Sequence, residues 1–269
     1  SNLIKVLSRQ TKHKVDLVPH EVVTVGPDAI SSHLKQLREA GNRFAIVDAV
    51  TDRNLVDIGI ACRDMKLVTG SSGAALALPK NFRRAGLLGP DSGADMLPPS
   101  KGHAAVVAGS CSDATLAQVA HMKKRSPAFF VDGMKLGGKR DIAKEAVAWA
   151  KPKLADGPVL IYSSAKADMV KKVQRKHGSA RSRDLIEGCL ANIARDLARA
   201  GVGRLIVAGG NTAAQTIKAL RIHALRIGHQ IDPGVPWTMT LDEPPLHLAL
   251  KAGSFGDEDF FTRAFHMLK

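Results

Sequence analysis

The sequence is poor in cysteine and in aromatic residues, and each shortage argues against a class of protein. Its three cysteines, Cys62, Cys111 and Cys189, are widely spaced and odd in number. They form neither the disulfide framework of a small secreted protein nor a zinc-ligand pattern, so we expect reduced thiols and a cytoplasmic location. Aromatic residues make up only 4% of the chain, which leaves few side chains on which nucleic-acid bases could stack.

Long apolar runs and several well-known motifs are also missing. No stretch is apolar enough to span a bilayer, and the first residues lack the apolar core of a signal peptide. The chain contains no G-x-G-x-x-G after a predicted strand, no H-E-x-x-H and no G-x-S-x-G. Residues 136–140 are similar to a P-loop only superficially, because the glycine spacing is wrong and no Ser or Thr follows the lysine.

A strong positive balance is the first feature that the sequence does have. The chain carries 39 Lys and Arg against 25 Asp and Glu, a formal net charge of +14. Such a balance suits nucleic acid or a small anionic substrate. The basic residues are scattered over predicted helix faces, with one cluster at residues 171–183. We therefore expect a small-molecule substrate, no nucleic acid and no membrane. Nucleic-acid binding stays an alternative that a steep salt dependence would reveal.

Strand-like and helix-like segments alternate along most of the chain, and 45% of the residues are hydrophobic, as in a globular protein. Prolines and glycines interrupt the alternation at residues 79–102, which predicts a linker or a domain boundary. The pattern predicts two three-layer α/β domains with mostly parallel sheets, the first one incomplete. The segments predicted as strands are residues 21–25, 44–50, 66–69, 104–108, 128–131, 159–163 and 205–208.

Glycine-containing turns follow two of these strands and lead directly into predicted helices. The turns are Gly109-Ser110-Cys111-Ser112 and Gly209-Gly210-Asn211-Thr212. The N–H groups at the start of a helix, together with the helix macrodipole, favour phosphate at such a turn. An ordinary tight turn would use the same residue types, since glycine and serine are common at helix starts. Two such turns in one chain predict a nucleotide site.

The first part of the chain offers weaker candidates for a ligand site. The turn at residues 70–73 follows a predicted strand, where open α/β sheets bind ligands, although a plain capped turn explains it equally well. Asp48 ends another predicted strand and could contact a polar substrate or a metal, or only supply charge near a helix start. Near the other end of the chain, residues 251–256 combine two glycines, a lysine and a phenylalanine in a loop that could lie close to a nucleotide.

Several of these blocks, taken together and in order, resemble the four-carbon acid sugar kinases, a family that includes the 3-oxo-tetronate and threonate kinases. The more specific ones are Pro-Gly-Val-Pro-Trp at residues 233–237 and Leu-Lys-x-Gly-x-Phe-Gly at residues 250–256. The others are the two turns described above, Thr115 and Gln118, Val-Asp-Ala at residues 47–49 and Thr-Gly-Ser-Ser-Gly at residues 69–73. The resemblance covers nearly the whole chain.

The resemblance implies a sugar-acid-binding domain at residues 1–92, a nucleotide-binding domain at residues 102–269, and an active site in the cleft between them. It implies ATP and Mg²⁺ as cofactors and assigns neither a catalytic base nor a metal ligand. The implied ATP-binding residues are Ser110, Ser112, Gly209, Gly210, Asn211, Thr212 and Gly253. The implied substrate-binding residues are Asp48, Gly70, Ser71, Ser72 and Gly73.

The sequence departs from the family's pattern in two places. The Asp-Asp-x-Thr-Gly-Ala motif usual after the family's first strand is not found, so we expect that the amino-terminal part is lacking. Asn211 stands where the family usually has Glu or Asp, and an amide cannot act as a base or hold a cation as a carboxylate does. The expected function is an ATP-dependent sugar-acid kinase. A catalytically inactive nucleotide- or sugar-acid-binding fragment and a dinucleotide-dependent oxidoreductase are the alternatives, and a homodimer is left open.

Overall fold

The computed structural model describes residues 2–70, 72–90 and 93–268, and the chain divides into two compact units, Ser1–Ser92 and Gly93–Lys269. The first unit also contains a short 3₁₀ turn at Ser72–Ala75. Its helices and strands, in chain order, are α1 (Leu3–Ser8), β1 (Val15–Val18), α2 (His20–Val23), α3 (Pro27–Glu39), β2 (Phe44–Val47), α4 (Asp52–Ala61) and α5 (Leu78–Arg84).

A two-stranded parallel sheet forms the centre of the first unit. β1 and β2 pair in register, with Val15 opposite Phe44. Val18, Val23 and Ile30 are fully buried and form a small core with partly buried side chains of α3, β2 and α4. The helix starts follow the sequence closely, since α3 begins with a proline and α4 begins with a capping box between the side chains and backbone of Thr51 and Asn54.

Two of the strands predicted in the first unit are wrong. Within residues 21–25, the structure has the helix α2, which begins after Pro19. The valines there suggested a strand, but the strand lies earlier, at β1, where Asp16 interrupts the apolar run. Residues 66–69 are not a strand either, and Leu67 is 84% exposed. An apolar segment that no neighbouring strand pairs cannot keep strand structure by its composition alone.

The second unit is a larger sheet with helices packed on both faces, and 3₁₀ turns at Gly133–Lys135 and Lys151–Lys153. Its elements, in chain order, are β3 (His103–Ala108), α6 (Asp113–Lys123), β4 (Ala128–Phe130), α7 (Ile142–Ala150), β5 (Val159–Tyr162), α8 (Ala167–His177), α9 (Ser179–Arg199), β6 (Val202–Ala208), α10 (Gly210–Leu220), β7 (Leu225–Asp232), β8 (Val235–Thr240), β9 (His247–Lys251) and α11 (Phe260–His266).

The seven strands of this sheet lie in the order β4-β5-β3-β6-β9-β8-β7. The first five in that order are parallel, and β8 and β7 extend the sheet in antiparallel pairing. The α/β class with a mostly parallel sheet is thus confirmed. The strands predicted above end at residue 208, so the antiparallel end was not among them. None of the helices in the described part of the chain is both long and apolar enough to cross a membrane.

The core of the second unit lies on both faces of β3 and β6. Ala105 and Val107 face a cluster that includes α7 and α9, whereas Val106 and Ala108 face a cluster with α6 and α11. Because both faces are covered, the buried parts of these strands, residues 104–108 and 205–208, are continuous apolar runs without alternation, and the sequence predicted them as strands.

Helix α9 contributes the longest apolar stripe to this core. Substitution of one of its buried leucines tests how much this packing stabilises the fold. Leu197 is 0% exposed, so Leu197→Ala leaves a cavity and should lower the free energy of unfolding by about 2–5 kcal/mol. Leu241 is 64% exposed, and Leu241→Ala should change it by less than about 0.5 kcal/mol. Urea unfolding followed by circular dichroism measures both, and equal effects would contradict the core assignment.

Candidate nucleotide-binding site

The three segments predicted to bind a nucleotide meet at one edge of the second unit's sheet. β3, β6 and β9 are adjacent parallel strands, so the residues that follow their carboxyl ends lie side by side. These residues are the turn at 109–112, the turn at 209–212 and the loop at 252–256. Open α/β sheets bind ligands in this position.

Backbone hydrogen bonds join the turns to the neighbouring strands. The N–H groups of Gly109 and Ser110 donate to the carbonyl oxygen of Ala208 at 2.9 and 3.2 Å. The N–H group of Gly209 donates to the carbonyl oxygen of Lys251 at 2.8 Å. A Cβ atom at position 109 would lie 2.2 Å from the Thr212 hydroxyl oxygen, so this close approach of the two turns requires glycine.

The first turn of α10 opens onto free space. Gly209 precedes the helix with a φ of 127°, a backbone conformation that favours glycine. Gly210 and Asn211 are exposed, whereas Thr212 is only 3% exposed. The N–H groups of residues 210–212 have no carbonyl partner within the helix, because the first turn of any helix leaves them free. A Cβ atom added at Gly210 would meet nothing within 4 Å in the part of the chain that the structure describes.

The loop after β9 packs directly against the start of α6. The Ser112 side chain caps this helix by accepting from the Thr115 N–H at 3.3 Å. Both hydroxyls, of Ser112 and Thr115, donate to the carbonyl oxygen of Gly253, the latter at 2.8 Å. A Cβ atom at Gly253 would lie 2.2 Å from the Ser110 hydroxyl oxygen. Ser110, Ser112 and Gly253 therefore lie together, as one wall of the site.

The buried side chain of Lys251 holds this loop in its conformation. It is 0% exposed, and its Nζ donates to the carbonyl oxygens of Ala252, Gly253 and Phe255 at 2.9–3.0 Å and to the Thr115 hydroxyl at 3.1 Å. Burial lowers the pKa of Lys251 to about 8, because the charged ammonium loses its hydration. The resemblance included this lysine in a block, but its role as a buried anchor was missed. Its position at the end of an apolar strand was the available signal.

A second buried side chain holds the far part of the same loop. The Gln118 amide group donates to the carbonyl oxygens of Phe255, Gly256 and Asp257 at 2.8–3.0 Å. Gln118 is 0% exposed and lies on α6, one turn beyond Thr115. α6 and Lys251 together engage the carbonyl groups of the loop, so its backbone conformation is set by side chains rather than by regular secondary structure.

The predicted substrate-binding residues belong to the first unit. Asp48 follows β2, is half-buried, and its N–H donates to the Val18 carbonyl oxygen at 3.1 Å. Gly70 is exposed, and no strand precedes it, contrary to the prediction. Gly73 packs on α4, since a Cβ atom there would lie 2.9 Å from a methyl carbon of Leu55. Ser71 lies outside the described residues, and Ser72 begins the 3₁₀ turn at Ser72–Ala75.

Comparison with known families gives matches in both units. Residues 105–261 match a family described as a nucleotide-binding C-terminal domain, and residues 1–78 match one described as a sugar-binding N-terminal domain. The first of these matches includes the turns at 109–112 and 209–212 and the loop at 252–256. The chain belongs to the four-carbon acid sugar kinase family.

Relatives within this family are similar over the whole chain. The chain is 45% identical to the 3-oxo-tetronate kinase of Burkholderia multivorans and 45% identical to that of Cupriavidus necator, in both cases over 100% of its own length and 62% of theirs. The chain thus spans less than two thirds of the length of these relatives. A crystal structure of a Salmonella typhimurium LT2 protein has a TM-score of 0.81 at 32% identity, and the match covers 100% of this chain and 63% of that one.

The buried ammonium predicts an alkaline pH dependence of stability. The pKa of Lys251 is about 8 in the folded protein against the ordinary 10.5, so between these values the unfolded chain holds more protons than the folded one. The free energy of unfolding should therefore rise with pH across this window, by at most about 1.4 kcal/mol per pH unit, and the contribution is lost as the pH falls through 8.

Lys251→Met should remove this rise, because the thioether does not titrate. Urea unfolding of the two proteins between pH 7.5 and 10 measures the difference, with Lys218→Met as a control because Lys218 is exposed on α10. If the native protein and Lys251→Met show the same dependence on pH, the ammonium is not buried as described.

Proposed function

We propose that the protein acts as an ATP-dependent kinase that phosphorylates a hydroxyl group of a four-carbon sugar acid of the 3-oxo-tetronate or threonate type. The observation that carries this proposal is the meeting of residues 109–112, 209–212 and 252–256 at one sheet edge in a member of this family. The relatives from Burkholderia multivorans and Cupriavidus necator are 3-oxo-tetronate kinases, which supports the same substrate class.

The proposed phosphate contacts come mainly from the backbone. The free N–H groups of Gly210, Asn211 and Thr212 at the start of α10 would bind phosphate oxygens, assisted by the positive end of the helix dipole. Ser110, Ser112 and Gly253 would line the same space, because the loop after β9 lies against the turn after β3. Residues that touch the phosphates in this way position them and neutralise charge, which is most of what phosphoryl transfer requires of a protein.

We assign the sugar acid to the first unit. The match of residues 1–78 to a sugar-binding domain supports this assignment. Asp48, Gly70, Ser71, Ser72 and Gly73 are the proposed contacts, and residues 1–92 and 102–269 are the proposed sugar-acid-binding and nucleotide-binding domains. Mg²⁺ bound with the nucleotide would neutralise part of the phosphate charge. The formal net charge of +14 favours the approach of both anionic substrates.

Calorimetric titration of the chain with ATP and Mg²⁺, and then with a panel of four-carbon sugar acids, tests the proposal. Binding of ATP is the expected result for the second unit, and phosphorylated sugar acid detected by mass spectrometry would establish the reaction. A folded sample that binds ATP but produces no phosphorylated product would favour the inactive binding fragment, and Asn211→Glu would then be the first variant to assay. A folded sample without nucleotide binding contradicts the proposed site.

Gly210→Val should weaken ATP binding by about tenfold or more, because the side chain would stand where phosphate approaches the N–H groups of α10. The fold should tolerate this change, since a Cβ atom there meets nothing within 4 Å. Gly188→Val is the matched control: this glycine also lies in a helix, α9, and also has free space around its missing Cβ. Calorimetry on both variants is decisive, and unchanged ATP affinity in Gly210→Val would show that phosphate binds elsewhere.

A further inference from the structure

A buried cation holds the carbonyl groups of the loop after β9. Lys251 is 0% exposed, and its Nζ donates to the carbonyl oxygens of the loop at 2.9–3.0 Å. The Thr115 hydroxyl accepts from the same Nζ at 3.1 Å and donates to the Gly253 carbonyl oxygen. An ammonium group has three N–H bonds and no lone pair, so this cluster of oxygen atoms can engage all of its hydrogens. The three loop carbonyl groups belong to Ala252, Gly253 and Phe255.

The same hydrogen bonds determine where the N–H groups of the loop point. In a planar trans peptide, the carbonyl group of one residue and the N–H group of the next point in opposite directions. Three carbonyl groups of the loop are directed to the ammonium group, so the N–H groups that follow them point away from it. Among the residues that the structure describes, none of these N–H groups has a hydrogen-bond partner. They belong to Gly253, Ser254 and Gly256.

This polarity suits an anion, and the loop lies beside the proposed phosphate site. Neighbouring backbone N–H groups that are free of carbonyl partners make anion-binding concavities in proteins. A Cβ atom at Gly253 would lie 2.2 Å from the hydroxyl oxygen of Ser110, which belongs to the turn after β3. The loop therefore has carbonyl oxygens on the side of Lys251 and free N–H groups away from it.

No carboxylate pairs with this ammonium group in the part of the chain that the structure describes. Besides the loop and α6, the Phe260 ring of α11 packs near it, with its centroid 6.0 Å from Nζ, and Ala208 of β6 is opposite Lys251 in the sheet. Burial is the cause that lowers the pKa of Lys251 to about 8. The charged or titratable side chains within one helical turn of these contacts, none of which bonds to Lys251, are Asp113, His121, Asp257, Glu258, Asp259 and Arg263.

We propose that Lys251 is a positioning residue for the nucleotide phosphates, and that ATP binds tightly only while this side chain is protonated. The ammonium group keeps the loop carbonyl oxygens away from the phosphates and places a positive charge behind the loop. A neutral amine donates one hydrogen bond fewer and carries no charge, so a carbonyl group is released that repels phosphate. Bound phosphate favours the charged form of a nearby amine, so nucleotide binding takes up a proton from the buffer. This inference rests on the proposed function, because it concerns the phosphates of the same nucleotide.

Affinity for ATP should fall as the pH rises through the pKa of Lys251. Because this pKa is about 8, calorimetric titration with Mg²⁺ should give a Kd about fivefold to tenfold higher at pH 9 than at pH 7.5. At pH 8.5, titrations in buffers of different ionisation enthalpy should show uptake of about half a proton or more for each ATP bound. Inorganic triphosphate should show the same uptake, because it contains the phosphates without the base or the ribose.

Lys251→Met should weaken ATP binding by about tenfold or more at pH 7.5 and abolish the proton uptake. Lys218→Met is the matched control, because Lys218 is exposed near the end of α10, and it should change ATP affinity by less than about twofold and keep the native uptake. Cys111→Ser is a second control, because a thiol ordinarily titrates in the same pH range and Cys111 lies in the turn after β3. This variant should also keep the native uptake.

ATP binding that neither depends on pH in this range nor takes up a proton would overturn the role of Lys251 and leave the proposed nucleotide site intact. Uptake that persists in Lys251→Met, or disappears in Cys111→Ser, would assign the proton to another group and would also overturn it. If Lys251→Met does not fold, the native chain and Cys111→Ser still decide. Failure of the native chain to bind either ATP or triphosphate at pH 7.5 would overturn the proposed function and this inference together.

Discussion

The buried ammonium group of Lys251 is the interaction on which the candidate site depends. Its hydrogen bonds to three carbonyl groups and to Thr115 connect the end of β9 with α6 and with the loop that follows. Burial of a cation is costly, and these hydrogen bonds offset part of that cost. The loop has no regular secondary structure of its own, so its conformation depends on hydrogen bonds from buried side chains. Gln118, which also lies on α6, donates hydrogen bonds to carbonyl groups further along the same loop.

Close backbone approach is the second requirement of the site. At Gly109 and Gly253, a Cβ atom would lie 2.2 Å from a hydroxyl oxygen of another segment. These distances are well inside van der Waals contact, so the turns can meet only where side chains are absent. Each of these glycines leaves space for the side chain of a residue that lies about a hundred or more positions away in the sequence. Local turn geometry alone would not reveal this role.

Most of the secondary structure of the second unit could be predicted from the sequence, because its central strands are buried on both faces. Residues 104–108, 159–162 and 205–208, within β3, β5 and β6, are continuous apolar runs, and each is followed by a turn that leads to a helix. In the first unit, the small sheet gives a weaker pattern, and residues 21–25, with three valines, were predicted as a strand where the structure has α2. The contacts of Lys251 with α6 and with the loop depend on which elements are neighbours in the fold. Spacing along the chain does not contain that information, so the sequence located the turns but not the side chains that support them.

The sheet of the second unit ends differently on its two sides, and both ends limit further strand addition. On one side, β4 is only three residues long and offers few free backbone groups to another strand. On the other side, β7 carries Arg226, His229 and Gln230, whose polar side chains are exposed along the outermost strand. Short edges and charged edges are two ways in which β-proteins avoid edge-to-edge association. The apolar centre of this sheet is therefore flanked by a short strand on one side and by a strand with exposed polar side chains on the other.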